Sequence, residues 1–242
     1  MGTVNIKDTS ILVLGGTGEL GRRIASRLSS RGALVTVAGR NRSTGAAVAG
    51  DVGGVFEAFD FRDDATLGLP VTKAVETFGR LDGIVNAAGV VAFGPLSETP
   101  AAVLDEIITV NLTAPLTLYS RAIGSMSGGF IVNITGAVAS LPTAGMVAYS
   151  ASKAGLSAAT IALAREARRD GFLVIDAQPA HTDTGLVSRA LIGEAPGLPP
   201  GLDPDFVAAQ LVEGIALGKR SLPIEWFSGA AAGTPAGPGV AP

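Results

Sequence analysis

Short apolar runs alternate along the chain with longer segments of helical pattern, and this alternation constrains the fold more than any other feature. It is typical of repeated strand–helix–strand units, whose strands form a parallel sheet covered by helices. Leu20, Ile24 and Leu28 form one apolar face of a helix that follows the first strand. Strands are predicted near Ile11–Leu14, Leu34–Ala38, Val55–Phe59, Ile84–Ala87, Phe130–Ile134, Leu173–Ala177 and Leu222–Trp226.

The later helices have recognisable ends. They are predicted from Thr99-Pro100 to Ala122, over Met146–Arg169, and from Asp203-Pro204 to near Gly218. Pro115 lies inside the first of these and is expected to kink it. Residues 1–228 are predicted to form a single domain. Within it, 185–201 is a Gly- and Pro-rich segment, either a mobile substrate loop or an ordinary surface loop, and 229–242 is a low-complexity tail and a candidate for disorder.

Composition excludes several classes of protein. Apolar residues make up 47% of the chain and aromatic residues only 5%, so the core is aliphatic. A net charge of −3 provides no general basic surface for nucleic acid. The absence of cysteine excludes thiol chemistry, and a single histidine argues against a zinc site, so no metal is predicted. The chain starts without a secretory signal and contains no 18-residue apolar run, which predicts a cytoplasmic protein with no membrane partner.

A glycine triplet lies where the first predicted strand meets the first helix, in LVLGGTGELG. Residues without a Cβ atom let the backbone turn tightly, and the free N–H groups of the helix start suit a pyrophosphate. The spacing G-x-x-G-x-x-G also fits a plain tight turn, but its position at the first strand–helix turn favours a dinucleotide. The residues predicted to contact it are Gly15, Thr17, Gly18, Glu19, Leu20 and Gly21.

The end of the second strand, VTVAGRNRS, indicates which dinucleotide binds. A carboxylate there would bind the adenosine ribose and repel a 2′-phosphate. The chain instead has Gly39 followed by Arg40, with Arg42 beyond, and guanidinium groups suit a phosphate. Arg22 and Arg23 add positive charge nearby. NADP(H) is therefore predicted in preference to NAD(H); the other interpretation is that these arginines form a solvated rim.

Tyr149 and Lys153 are four residues apart in a predicted helix, so both lie on one face. The pair predicts a phenol whose proton affinity is adjusted by a neighbouring ammonium group. Ser150-Ala-Ser-Lys153 also spells S-x-x-K, the nucleophile motif of penicillin-recognising acylases, but the companion motifs of that class are absent. His181 is interpreted as a capping or surface residue, with a contact to substrate or phosphate as the alternative.

Together these features resemble the short-chain dehydrogenase/reductase family over essentially the whole chain. The stretches that carry the resemblance are the glycine turn, "FDF" with Asp60, VNAAG at 85–89, TVNLTAP with Asn111, YSASK at 149–153 and QPAHTDT at 178–184. The resemblance implies an α/β fold, a doubly wound Rossmann-type parallel sheet of about seven strands flanked by helices. It also implies a homodimer or homotetramer.

The resemblance also implies roles for individual residues. Tyr149 would give its proton to a carbonyl as hydride arrives, or take it back from an alcohol, with a pKa lowered from about 10. Lys153 would supply positive charge and reach the nicotinamide ribose, and Asn111 would hold a water through its main chain. The other implied cofactor contacts are Asp60, Phe61, Asn86, Ala87, Ala88, Pro179, Thr182 and Thr184.

The chain departs from the family pattern at several positions. Glu19 replaces a glycine of the commonest subgroup and is expected to face solvent, Ala87 replaces an asparagine, and Ala180 replaces a glycine. Gly136, thirteen positions before Tyr149, stands where the family has a serine that holds the substrate oxygen.

Two nearby hydroxyl groups are candidates to replace that serine. Thr135 could substitute only if the strand ends or bulges there, because successive side chains on a strand point to opposite faces. Ser140 could substitute if the Ala137–Ala144 loop folds inward.

Three functions remain open. The first is an NADP(H)-dependent oxidoreductase that interconverts a carbonyl and a secondary alcohol. The second is a redox-neutral isomerase or dehydratase on the same scaffold, and the third is a dinucleotide-binding sensor or partner protein with little or no turnover. A small-molecule substrate is expected, and it is expected to be apolar because the 185–201 segment carries Leu186, Val187, Leu191 and Ile192.

Overall fold

Residues 3–230 are described by a computed structural model, and all of the strands in this range belong to one parallel sheet. The strands are β1 (Ser10–Leu14), β2 (Leu34–Gly39), β3 (Val55–Ala58), β4 (Gly83–Asn86), β5 (Gly129–Ile134), β6 (Phe172–Ala177) and β7 (Ser221–Leu222). Their order is β3-β2-β1-β4-β5-β6-β7. Because β1 pairs with both β2 and β4, the winding reverses beside β1, where such sheets bind ligands. The predicted fold class is confirmed.

Helices cover both faces of the sheet. They are α1 (Glu19–Ser30), α2 (Arg42–Asp51), α3 (Leu69–Phe78), α4 (Ala101–Ile108), α5 (Ala114–Ala122), α6 (Val147–Glu166) and α7 (Pro204–Ala216). On one face, α1, α2 and α7 bury an aliphatic core that includes Ile24, Val48 and Leu211. On the other face, α3, α5 and α6 bury a second core that includes Val71 and Leu118. Continuously apolar strands such as β1 are explained by this two-sided burial.

A π-helical turn over Thr109–Thr113 separates α4 from α5. The sequence predicted one helix kinked at Pro115, but the irregular turn lies just before this proline. Pro115 occupies the first turn of α5, immediately after the π-helical turn. Asn111 lies within the π-helical turn and is buried.

The helical run Ala101–Ser125 is, within residues 3–230, the one long and apolar enough to cross a membrane, with a mean hydropathy of 1.3. The sequence was expected to contain no such segment. Length and composition alone are weak grounds for a membrane helix. In this fold the run packs against α6 and buries Ile107, Val110 and Leu118.

Two predicted boundaries are wrong. β7 stops at Leu222 instead of continuing to Trp226, because Pro223 has no N–H group for the ladder, and a 3-10 helix over Ile224–Ala230 follows. The N-cap of α4 is Pro100, while the Thr99 hydroxyl group bonds to the Pro95 carbonyl oxygen. Most of the predicted 229–242 tail lies outside the described residues.

Candidate active site

The glycine turn after β1 has no room for side chains. Gly15 has a φ of +73°, and a Cβ atom there would lie 2.7 Å from the Ala88 nitrogen. A Cβ atom on Gly21 would lie 2.2 Å from the Gly15 carbonyl oxygen, so α1 contacts the turn backbone to backbone. Gly18 caps α1 without a side-chain hydrogen bond, which leaves the first N–H groups of the helix available to an anion. This cradle fits the pyrophosphate of a dinucleotide.

Thr17 packs against Gly39 and restricts which side chains fit at position 39, the last residue of β2. A Cβ atom on Gly39 would lie 2.6 Å from Thr17 Oγ1, so an acidic side chain has no space unless the threonine moves. The next residue, Arg40, is exposed and lines the same cavity. Within residues 3–230, neither Arg40 nor Arg42 forms an ion pair.

Arg22 and Arg23 do not supply the free positive charge that the sequence suggested. Their guanidinium groups bond to Glu19, at 2.6 Å from Arg22 and 2.8 Å from Arg23. Arg23 also lies 3.4 Å from Asp205 on α7. Glu19 therefore has its carboxylate turned along α1 and neutralised, which explains how an acid is accommodated beside a phosphate cradle.

Asp60 is held at the rim of the cavity by Arg62, a partner that the sequence did not reveal. Arg62 donates to both carboxylate oxygens, at 3.0 Å from Nε and 2.6 Å from Nη2. The hydrogen bond from Arg62 lowers the pKa of Asp60 below its usual value, against the opposing effect of burial. Asp60 is thus a fixed anion at the position where the resemblance places the adenine ring.

A cavity of about 540 Å³ connects the cradle to the carboxyl ends of β4, β5 and β6. The predicted residues that line it are Gly15, Thr17, Gly18, Glu19, Leu20, Gly21, Arg40, Asp60, Phe61, Ala87, Ala88, Thr135, Gly136, Tyr149, Lys153, Pro179, Thr182 and Thr184. His181, interpreted from the sequence as a capping or surface residue, also lines it. Asn86 and Asn111, which were also predicted, are buried and do not line the cavity.

Tyr149 and Lys153 meet in this cavity on one face of α6. Lys153 Nζ lies 5.9 Å from the centre of the Tyr149 ring and donates a hydrogen bond of 2.9 Å to the Ile134 carbonyl oxygen. Burial raises the pKa of Tyr149 to about 12. The sequence led us to expect a lowered value. The difference arises because burial disfavours the charged phenolate.

Lys153 is one of the few buried charged residues of the protein. Burial lowers its pKa to about 8, and the charge of Asp176 opposes this shift. A buried amine with a pKa near neutrality can change its charge during a reaction cycle, a property common at functional sites. The neighbouring Tyr149 would respond to that change.

Asn111 and Asn86 hold the backbone that follows β4. Asn111 Oδ1 accepts from the Val90 N–H group, and its amide nitrogen donates to the Val90 carbonyl oxygen and to Ser152, all within 3.0 Å. Asn86 Oδ1 accepts from the Ala88 N–H group at 3.2 Å. Both side chains are therefore positioning groups; the water that Asn111 would bind through its main chain stays a prediction.

Neither neighbouring hydroxyl group replaces the serine that is missing at Gly136. The Thr135 side chain is fully buried and donates to Asp176 Oδ1 at 2.6 Å, on the α6 face of the sheet. Ser140 is exposed and donates to Gln178 Oε1 at 2.7 Å. Gly136 itself has a φ of +76°, and the nearest atom to a Cβ placed there is the Pro179 oxygen at 3.7 Å. The position has space for a side chain but a backbone that favours glycine.

The segment after β6 closes the apolar end of the cavity. Leu186 and Val187 pack with Tyr149 against the cluster formed by Val91, Phe93 and Met146. The Leu191 N–H group bonds to the Val91 carbonyl oxygen at 2.8 Å, which ties the 185–201 segment to the chain after β4. Its mobility stays a prediction.

Comparisons with known proteins identify the family of this chain. A model of the short chain dehydrogenase family matches residues 9–194. An uncharacterized oxidoreductase of Thermotoga maritima is 32% identical over 194 residues, covering 77% of each chain. An ipsdienol dehydrogenase of Ips pini is 30% identical over 78% of this chain and 80% of its own. A crystal structure of a short chain dehydrogenase from Burkholderia cenocepacia in complex with NADP has a TM-score of 0.80 and 29% identity, covering 95% of this chain and 100% of that one.

A parallel sheet with a glycine cradle and a Tyr–Lys pair at its carboxyl edge defines a dinucleotide-type oxidoreductase scaffold. The chain belongs to the short-chain dehydrogenase family.

The depressed pKa of Lys153 predicts how stability depends on pH. The folded state binds this proton with a pKa of about 8, against 10.5 for an unperturbed lysine. Between these values the unfolded chain binds more protons, so stability rises with pH through this window and is lost as pH falls towards 8. Below this window the burial of the charged group should cost about 3 kcal/mol of stability.

Urea unfolding of the wild type and of Lys153→Met, followed over the same pH range, measures this contribution. The stability difference between the two proteins should change in favour of the wild type as pH rises. Parallel stability profiles for the two proteins would contradict the assignment of a buried, destabilised ammonium group.

Proposed function

We propose that this protein is an NADP(H)-dependent oxidoreductase that interconverts a carbonyl and a secondary alcohol by hydride transfer. One observation carries the proposal: the Tyr149–Lys153 pair and the glycine cradle line the same cavity. A dinucleotide on the cradle and a substrate at the phenol would therefore share one enclosed space. When bound, the dinucleotide supplies the hydride.

Tyr149 is the proposed proton donor. Its pKa is raised to about 12 by burial, so the phenol carries its proton near neutrality. Lys153 lies beside the ring, and its positive charge stabilises the phenolate that remains after proton transfer. The Ile134 carbonyl oxygen fixes the position of that charge.

The proposed preference for NADP(H) is supported by the end of β2. Thr17 occupies the space that an acidic side chain at position 39 would need. Arg40 lies at the cavity with its guanidinium group unpaired within residues 3–230. A guanidinium group is a suitable partner for a 2′-phosphate. The NADP in the Burkholderia cenocepacia structure is consistent with this choice.

An apolar small-molecule substrate is the proposed occupant of the remaining space. The walls near Tyr149 are formed by Val91, Phe93, Met146 and Leu186. Such walls gain free energy from excluding water and offer few partners to polar groups.

A second candidate function is a dinucleotide-binding protein with little turnover. The geometry at Gly136 favours it, because the hydroxyl groups of Thr135 and Ser140 are both engaged elsewhere. Of the hydroxyl groups of Thr135, Ser140 and Tyr149, only that of Tyr149 would then be available to the substrate oxygen.

The chemistry is tested by replacing Tyr149 with Phe and following NADPH absorbance with a panel of ketones, quinones and aldehydes. The wild type should oxidise NADPH with at least one compound. Tyr149→Phe should retain NADPH binding and lose a factor of about 10² or more in kcat.

Tyr119→Phe is the matched control, since Tyr119 is the other tyrosine and lies in the core bonded to Asn133. It should retain turnover. Equal turnover by Tyr149→Phe and the wild type would exclude the proposed proton donor. Tight NADPH binding by the wild type, without oxidation by any compound, would favour the second candidate.

Cofactor choice is tested with Arg40→Ala. Removing the guanidinium group should weaken NADPH binding by about tenfold, the value of one charged hydrogen bond. NADH binding should change little, and it serves as the internal control in a fluorescence titration. An equal loss for both dinucleotides would show that Arg40 does not recognise the 2′-phosphate.

The missing hydroxyl group is tested by comparing Gly136→Ser with Gly136→Ala. Both variants carry the same strain from the positive φ, and only serine brings a hydroxyl group. Both should unfold at lower urea concentration than the wild type. Gly136→Ser should exceed Gly136→Ala in kcat by about tenfold, less than the full value of a preorganised donor. Equal kcat values would mean that a hydroxyl group at position 136 does not reach the substrate oxygen.

A further inference from the structure

Asp176 is a buried carboxylate just outside the cavity, on the second last strand of the sheet. It is 5% exposed and accepts three side-chain hydrogen bonds. The donors are Thr135 Oγ1 at 2.6 Å, Ser157 Oγ at 2.5 Å and Gln178 Nε2 at 2.9 Å. A buried carboxylate needs such donors or a cation, and within residues 3–230 no ion pair involves Asp176. These three donors therefore stabilise the ionised form of the Asp176 carboxylate.

The hydrogen-bond network of Asp176 lies next to Lys153. Ser157 lies one turn after Lys153 on α6, so the two side chains leave the helix on the same face. The ammonium group bonds to the Ile134 carbonyl oxygen, and the next residue, Thr135, bonds to Asp176. The cation and the anion therefore contact consecutive residues at the end of β5. Their opposite charges lie on the same side of the sheet, within its low-dielectric interior.

The same network holds the turn that contains Gly136. Thr135, before the turn, is bonded to Asp176 directly. Ser140, after the turn, bonds to Gln178, whose amide nitrogen donates to Asp176. One end of the turn is thus bonded to the Asp176 carboxylate directly, and the other end is linked to it through Gln178.

We propose that Asp176 is a positioning residue of the active site: its carboxylate stabilises the Lys153 ammonium group from within the fold and fixes the turn at Gly136. Its importance for catalysis rests on the proposed function. Its effect on Lys153 does not, and can be measured without turnover.

The charged and titratable groups around this pair are few. Tyr149 faces Lys153 from α6, the neutral Asn111 amide lies beside it, and Asp176 acts from β6. On its outer side Asp176 borders a second cavity of about 380 Å³, lined by Arg165, Arg168 and Arg220.

The direct test is the pKa of Lys153, measured by NMR with lysine labelled at the ε-carbon. The chain contains only four lysines, Lys7, Lys73, Lys153 and Lys219, and Lys153→Arg identifies the signal. In Asp176→Asn the pKa of Lys153 should fall by about one unit, because the neighbouring negative charge is lost. The other three signals should titrate as in the wild type.

Thr135→Val is the matched control. It removes a hydrogen bond from the network but leaves the Asp176 charge in place, so the pKa of Lys153 should stay within about 0.3 unit of the wild type. An unchanged Lys153 signal in Asp176→Asn, or equal shifts in both variants, would overturn the proposal. Asp176→Ser removes the same charge and is measured where Asp176→Asn does not fold. Failure of both variants to fold would show a purely structural carboxylate and would also overturn it.

Activity provides the second measurement. The alkaline limb of kcat/KM for NADPH-dependent reduction should move to lower pH in Asp176→Asn, by the same amount as the NMR shift, and should not move in Thr135→Val. A shift in the NMR titration with no turnover by any protein, wild type included, would retain the effect on Lys153 and reject the proposed function. If the NMR titration shifts but the alkaline limb of the kcat/KM profile stays at the same pH, the role of Asp176 in catalysis is rejected.

Discussion

The burial of the Lys153 ammonium group determines much of the structure around the candidate active site. A cation taken from water into an aliphatic interior is costly unless acceptors surround it. The Ile134 carbonyl oxygen supplies a direct acceptor, and Asp176 supplies negative charge nearby. Both come from the carboxyl ends of neighbouring strands, so the position of α6 against β5 and β6 is fixed by electrostatics as well as by packing.

The same requirement explains why the polar groups behind the cavity are linked. Asn111 can reach Ser152 on α6 and the backbone at Val90 because the π-helical turn presents it towards the end of β4. A Cβ atom on Gly89 would lie 3.2 Å from Asn111 Oδ1 and 3.4 Å from Lys153 Nζ. The three residues therefore meet with little free space, and small changes in one helix would be transmitted to the ammonium group.

Local patterns in the sequence predicted the parts of the fold that depend on local physics. The strands were located within one or two residues, except at Pro223, because two-sided burial produces apolar runs that are easy to find. The glycine turn and the Tyr149–Lys153 spacing were likewise visible. The helices α2 and α3 were not identified, since α2 is rich in Gly and Ala and lacks a clear apolar stripe.

What the sequence could not predict is which partner each charged or polar side chain takes. Nothing near Thr135 indicates that its hydroxyl group bonds to a carboxylate on the next strand, and nothing near Asp60 shows that Arg62 will turn back to it. Glu19 could be expected only to face solvent, whereas its pairing with Arg22 and Arg23 required the helix geometry. Apolar periodicity can be read from residue types alone, whereas the partner of a charged side chain depends on the conformation that the chain adopts around it.

The turn at Gly136 shows how one such network shapes the chemistry. Bonds to Asp176 and Gln178 engage the hydroxyl groups on both sides of the turn, and the backbone between them has a positive φ that favours glycine. The missing serine is therefore part of a consistent local arrangement rather than an isolated substitution. Under the proposed mechanism, Tyr149 then binds and protonates the substrate oxygen without help from a serine at position 136. Burial keeps the phenol protonated near neutrality, and the adjacent ammonium group of Lys153, whose charge the buried carboxylate supports, would stabilise the phenolate left after proton transfer to a carbonyl oxygen.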